Sequence, residues 1–234
     1  MQKFKRKQKK YFIELIILSI LIITTIVFLI IYFNNFLISS MLLLLTFVFL
    51  IILYYIKNKF DYYLRLNQLN KLVKQSNKPI KIKFLVNFNI ILNKIKKDNF
   101  EVIDEDTNII SLYKIDKSKK GRNNILYIIL LFKNQNISFN DLVTNNYFIN
   151  IENKLFKKIK HMQRIFYQIK IDDNSTFEDA NNIFFTSSNN EHLILLNILF
   201  QNNHIYFLHS EKYYPNRYYL VASNKIKNLF INNQ

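Results

Sequence analysis

Three histidines near the end of the chain, His192, His204 and His209, lie close together with Glu191 and Glu211 beside them, a grouping whose residue types could hold zinc. Zinc sites on regular structure space their ligands at i,i+4 along a helix or at alternate positions along a strand. His204 and His209 are five apart, which on one strand turns them to opposite faces, so these read as surface histidines. A second grouping, Asp172, Asp173, Glu178 and Asp179, has the carboxylates for a hard cation or for paired acid-base work. It lacks the alternating acids and turn glycine of a calcium loop, and Glu178 sits three residues after Ser175 as a helix capping box would place it. The cluster therefore reads as a solvated loop and helix start, and no catalytic, metal or cofactor-binding residue is assigned.

Basic residues are the remaining chemical signal. Lys117, Lys119, Lys120 and Arg122 crowd one polar segment, and Lys154, Lys157, Lys158 and Lys160, with Arg164 beyond, follow one predicted helix. These nine are the candidate contacts to an anionic surface. The whole chain carries a formal +17; residues 57–234 hold 27 basic and 15 acidic side chains, a net +12. Such a balance points to nucleic acid or to anionic lipid. Only five of the 33 basic residues are Arg, however, the residue suited to bidentate phosphate contacts. With one Gly, two Pro, two Ala and no Trp, the usage is that of an AT-rich genome, as in a reduced bacterium or an organelle, and part of the lysine excess is mutational.

Several classes of chemistry are excluded outright. No cysteine means no disulfide, thiolate catalysis, iron-sulfur cluster or cysteine-rich zinc site. A single glycine rules out glycine-rich phosphate cradles. The expected order of helix, hairpin and central strand resembles that of restriction-endonuclease-like folds, which would imply metal-binding acids on the hairpin and central strand with a lysine nearby. The central strand here is Ile125 to Phe132, with no acid and no lysine before Lys133, so its residues do not support a nuclease.

The elements that must position these residues begin with a membrane hairpin. Phe12 to Phe33 is 22 residues with one formal charge, and Phe36 to Ile56 is 21 with none. Each is long enough for a hydrocarbon core of about 30 Å. Asn34, Asn35, Ser39 and Ser40 mark the turn. The first run exceeds the h-region of a signal peptide and no small-x-small cleavage site follows, so it is expected to stay as a helix. Six basic residues precede it, Lys57 and Lys59 follow the second run, and the turn has none, which puts both termini in the cytoplasm. Glu14, four residues from Lys10, reads as a snorkelling ion pair near the interface. The hairpin reads as an anchor in the cell membrane.

Beyond it, Tyr62, Leu66, Leu69 and Val73 form a 4-3-4 stripe on a helical stalk, which invites either a homodimer through residues 60–75 or packing onto the following domain. The expected organisation is a basic N-terminus at 1–10, a transmembrane hairpin at 11–56 (helices at 12–33 and 36–56), stalk and linker at 57–78, and a cytoplasmic domain at 79–234. Within that domain the pattern predicts a helix at 80–97, strands at 100–103 and 109–115, a doubly buried strand at 125–132, a helix at 151–163 and a strand at 166–171. Helices are further predicted after the capping signatures at Ser138, Ser175 and Ser188. A closing hairpin pairs 205–210 with 218–222, and a short helix runs to Phe230.

The fold class is thus a two-helix transmembrane hairpin followed by a soluble α+β domain with a mixed or antiparallel sheet, its strands in pairs. The expected function is that of a non-enzymatic interaction module on a multi-pass membrane anchor. Its expected partners are the lipid bilayer, anionic lipid headgroups, nucleic acid or another protein. The alternatives are a membrane-tethered hydrolase and a nucleic-acid-binding protein.

Overall fold

The computed structural model describes residues 2–75, 79–116, 124–139, 142–159, 163–172, 185–187 and 192–232. The chain divides into two units, Met1–Lys71 and Leu72–Gln234.

The first unit is an antiparallel pair of helices, α1 (Gln2–Ile31) and the greater part of α2 (Phe36–Gln75). Neither helix contains Gly or Pro, and the hydroxyls in the apolar stretches bond back to the helix: Ser19 to the Leu15 carbonyl at 2.8 Å and Thr24 to that of Ile20 at 2.9 Å. Both helices are long and apolar enough to cross a membrane. Large apolar side chains face outward along them, up to 68% exposed at Ile30 and 86% at Phe36, unlike those of a soluble core helix. The Asn35 side chain starts α2 by accepting from the Ile38 amide at 3.3 Å.

Contacts between the helices fix their register. The Thr46 hydroxyl donates to that of Thr25 at 3.2 Å, and Phe12 meets Phe60 with ring centroids 5.9 Å apart. Tyr11 stacks on Tyr63 at 5.5 Å, and Asn67 donates to Gln8 at 2.8 Å. The residues ahead of Phe12 are therefore helical and lie along α2 beyond its apolar run. The stripe that packs on α1 is Phe60, Tyr63 and Asn67, whereas Tyr62 and Val73 of the expected seam are 56% and 41% exposed.

The second unit is built on a mixed sheet. Seven strands lie in the order β1 (Ile80–Lys81), β8 (His204–Tyr206), β7 (His192–Gln201), β5 (Gln163–Ile171), β4 (Ile125–Phe132), β3 (Ile109–Asp116) and β2 (Glu101–Glu105). The short β6 (Phe185–Ser187) pairs with β7 off this path. β2, β3 and β4 form an antiparallel meander, while β4, β5 and β7 run parallel. Among the described residues three helices complete the unit: α3 (Phe88–Lys97), α4 (Leu142–Ile159) and α5 (Arg217–Lys227), the last running into a π-helical turn, Asn228–Asn232.

The register assigns side chains to two faces, because they alternate along each strand. One face carries Ile109, Leu126, Ile128, Leu130, Phe132 and Phe166 and packs on Phe148, Ile151 and Leu155 of α4. The other carries Tyr127, Tyr167 and Phe200, which meet Phe100, the Ala222 carbonyl of α5 and Phe230. Covered on both faces, β4 is buried along nearly its whole length, as a strand without a polar position must be.

Several expectations are corrected. The helix expected at 80–97 is a short strand followed by α3, which starts where Asn87 accepts from the Asn89 amide at 2.8 Å. α4 connects the parallel pair β4 and β5, so the strands are not confined to hairpin pairs. It runs as one helix from 142 to 159, and Gln163 already belongs to β5. Where Ser188 and Glu191 predict a helix, the chain forms β7: its decamer is apolar on both sides and pairs with β5, which outweighs a local capping signal. Residues 218–222 are helical in α5, because the Asn216 side chain caps the helix at the Tyr219 amide, 2.7 Å away. The hairpin partner of β8 is β7, across Asn202 and Asn203 with φ of 47° and 59°. Two left-handed residues in sequence make the turn that suits the twist of a hairpin, and in a chain with one glycine Asn takes both. The capping signature at Ser175 lies outside the described residues.

Candidate functional site

Among the described residues, the most concentrated ionisable chemistry lies where the chain leaves β3. Asp98 caps the C-terminus of α3, Lys114 and Asp116 alternate on β3, and Lys225 comes from the last turn of α5. Lys225 approaches Asp98 Oδ2 at 2.6 Å and Asp116 Oδ2 at 3.6 Å. Lys114 approaches the same two carboxylates at 3.1 and 3.6 Å and donates to the Asp98 carbonyl at 2.7 Å. Aromatic rings form the apolar side: Lys225 Nζ lies 5.4 Å from the Tyr127 centroid, and both ammoniums lie 5.8 Å from that of Phe100. Burial opposes charge on Lys114, but its bond to Asp98 and the nearby Asp116 prevail and raise its pKa above the usual lysine value. Burial, with Asp116 and Asp98 adding to it, pushes the Tyr127 hydroxyl well above the ordinary tyrosine value. Two carboxylates and two ammoniums balance, so the cluster offers neither a vacant cation site nor an unpaired base; it ties α3, β3 and α5 together.

Beside it runs an open groove of about 430 Å³. Ile90, Asn93, Lys94 and Lys97, at i, i+3, i+4 and i+7 along α3, line it with Asp98 and Leu229. Lys94 is held 4.4 Å over the Phe84 ring. The last turn of α3 carries Lys94, Lys96 and Lys97, which also complement the helix dipole.

At the opposite end of the sheet the acids are again taken by lysines. Lys133 bonds Glu105 at 2.7 Å, and Lys154 of α4 bonds Asp104 at 2.6 Å, which holds the Asp104 carboxyl below its usual range. Lys170 and Asp172, both buried, pair at 2.9 Å at the carboxyl end of β5.

Between the two ends, on the α4 face, lies a polar row that sequence reasoning missed. Ser111, Leu130, Gln168 and Asn197 are register partners on β3, β4, β5 and β7, and the three polar ones are at most 2% exposed. Ser111 Oγ and Gln168 Oε1 have no hydrogen-bond partner in the protein among the described residues. The available signal was an amide interrupting each of two apolar runs, Ile165 to Ile169 and Leu193 to Phe200.

The residues singled out in the sequence fare unevenly. Lys117, Lys119, Lys120, Arg122 and Lys160 lie outside the described residues, as do Asp173, Glu178 and Asp179. Lys154, Lys157 and Lys158 belong to α4, but Arg164 does not continue their face; it lies on β5 opposite Leu126, because the strand has already begun. His204 bonds the Asn202 carbonyl at 2.8 Å, and His209, past the end of β8, packs on Phe207. Among the described residues no three His, Asp or Glu side chains converge as metal ligands would.

Comparison with protein-family models, with curated proteins and with solved structures finds no match to the chain. Two long apolar helices followed by a helix-covered mixed sheet define its class.

Proposed function

We propose that the chain is a membrane-anchored interaction module whose hairpin crosses the cell membrane with both termini cytoplasmic and whose basic domain binds an anionic partner. The observation that carries this reading is the fate of the acids. Asp98, Asp104, Glu105, Asp116 and Asp172 each have a lysine within 3.6 Å or less. Residues 79–234 hold 21 basic and 14 acidic side chains, a net +7, so cationic residues beyond these pairs remain for an anionic partner. Nucleic acid and an acidic protein surface are the partners this charge suits, and binding to either weakens with salt.

The test uses the full chain in discs of zwitterionic lipid, which remove the competing lipid charge. Binding of duplex DNA and structured RNA is titrated across salt and compared with that of a charge-reversed variant, Lys119→Glu with Lys120→Glu. Binding that survives near physiological salt and falls in the variant supports the reading; no binding by any polyanion there removes it. Topology is tested cleanly because the chain has no native cysteine. A cysteine at Asn34 should react with an impermeant maleimide in intact cells, and one at Gln234 only after lysis.

A second reading, a membrane-tethered hydrolase, draws on the buried Lys170 and Asp172 pair, since open α/β sheets bind ligands at the carboxyl ends of their parallel strands. Loss of a hydrolytic activity in Asp172→Asn with the fold retained would favour it.

A further inference from the structure

We infer that the hairpin carries a ring of lysines at headgroup level that binds anionic phospholipid, an inference that rests on the membrane reading above. The register of the two helices supplies the geometry. With Phe12 opposite Phe60 and Thr25 opposite Thr46, Glu14 of α1 lies level with Lys57, Asn58 and Lys59 of α2. The helix from Leu15 to Ile31 is then 17 residues, about 25 Å, and with the apolar turn residues Tyr32 and Phe33 it approaches the hydrocarbon core of about 30 Å. The cytoplasmic boundary therefore falls at Glu14 and not at Phe12, and Glu14 sits among lysines at the edge of the apolar layer.

Around this level Lys9, Lys10, Lys57 and Lys59 are all exposed, with Tyr54 and Tyr55 just inside. Lys59 lies 5.5 Å over the Tyr55 ring. By helical rise these four stand within about 8 Å of the boundary, one Debye length at physiological salt. Two acids share the zone: Glu14, paired with Lys10 at 3.6 Å, and Asp61. Lys5 and Arg6 stand roughly 12 to 14 Å out, where screening removes most of their attraction to the leaflet. Headgroup binding thus weights each lysine by its depth, whereas a role confined to membrane orientation would count all of them alike.

The test is mass spectrometry of the full chain released from discs holding equal phosphatidylglycerol and phosphatidylcholine. The wild type should retain the anionic lipid preferentially. Each lysine near the surface contributes about fivefold, so Lys9→Gln, Lys57→Gln and Lys59→Gln together should lower the ratio roughly a hundredfold. Lys5→Gln with Arg6→Gln should lower it only about twofold. Glu14→Gln, which releases Lys10, should raise it about fivefold, a change of opposite sign that misfolding would not produce. Equal retention of the two lipids by the wild type, or equal losses in the inner and outer variants, overturns the ring while leaving the membrane reading intact. Failure to enter zwitterionic discs at all overturns both.

Discussion

Replacing Ser111 by alanine should stabilise the domain. The side chain is fully buried on β3, faces Leu130 across the strand pair, and its hydroxyl has no protein partner among the described residues. A buried hydroxyl left unsatisfied costs about 1 to 3 kcal/mol. Removing one oxygen leaves a void of roughly 15 to 20 Å³, worth about 0.4 kcal/mol at the usual cavity cost. The net expectation is a gain of about 1 to 2 kcal/mol, which in a unit of this size raises Tm by roughly 2 to 8 °C. Urea unfolding followed by far-ultraviolet circular dichroism reads it as a higher midpoint at unchanged slope. Gln168→Met, nearly isosteric, should act likewise. It should also act additively, because Ser111 and Gln168 are separated by β4 and so stand about two strand spacings, nearly 10 Å, apart. A loss of more than about 1 kcal/mol in Ser111→Ala would refute the reasoning. The hydroxyl would then have a partner, and the polar row would become the place to look for a bound molecule.

The ion cluster gives the next expectation. Lys225→Met leaves Asp98 and Asp116 with Lys114 alone, and because the site is only half-buried the loss should be about 1 to 2 kcal/mol in urea unfolding; no change would mean the cluster does not hold α5 to the sheet. In alkali, Tyr167 and Tyr219, raised by burial above all, and Tyr127 favour their neutral forms in the fold. The stability they contribute is full below the unfolded value near pH 10 and is lost as pH rises through the raised folded values, at up to about 4 kcal/mol per pH unit for the three. Tyrosinate absorbance should therefore show a late phase coincident with unfolding, and a single reversible step near pH 10 with the fold retained would contradict this. Asn99, with φ of 62° just past α3 and an exposed side chain, should gain about 0.5 to 1 kcal/mol as Asn99→Gly. A loss there would show that the Asn side chain supports the turn.

What could be read in the sequence follows the length and uniformity of its patterns. The two apolar helices and the uninterrupted run of β4 leave one reading each, since a charge-free stretch of 21 residues or a buried octamer bounded by polar segments has few alternatives. β7 was not legible because ten residues as apolar as His192 to Gln201 fit a buried helix as well as a strand, and only pairing with β5 decides. In α5 the buried positions Tyr219, Ala222, Ser223 and Ile226 do follow helical spacing, but two of them are too small or too polar to stand out beside the strand-like Tyr218 to Ala222. The hairpin turn at Asn202 and Asn203 was hidden by the same bias that removed glycine: the left-handed positions are present, filled by a residue that is everywhere else in the chain. The ion cluster joins side chains from Asp98 to Lys225, and nothing local distinguishes those lysines from their neighbours.

That last point bears on whether the lysine excess has meaning. Mutational bias alone would scatter lysines without regard to where acids fall after folding. Yet Lys114, Lys133, Lys154, Lys170 and Lys225 each find a carboxylate, and for Lys133, Lys154 and Lys225 that carboxylate is at least 28 residues away. Contacts of that sequence separation exist only in the folded state, so those three lysines belong to the fold and neutralise acids within it. The cationic residues facing solvent at α3 and on the hairpin are a separate population with a different consequence. Glutamine at the first set should lower stability more than glutamine at the second, whose main effect should be a weaker grip on anionic partners.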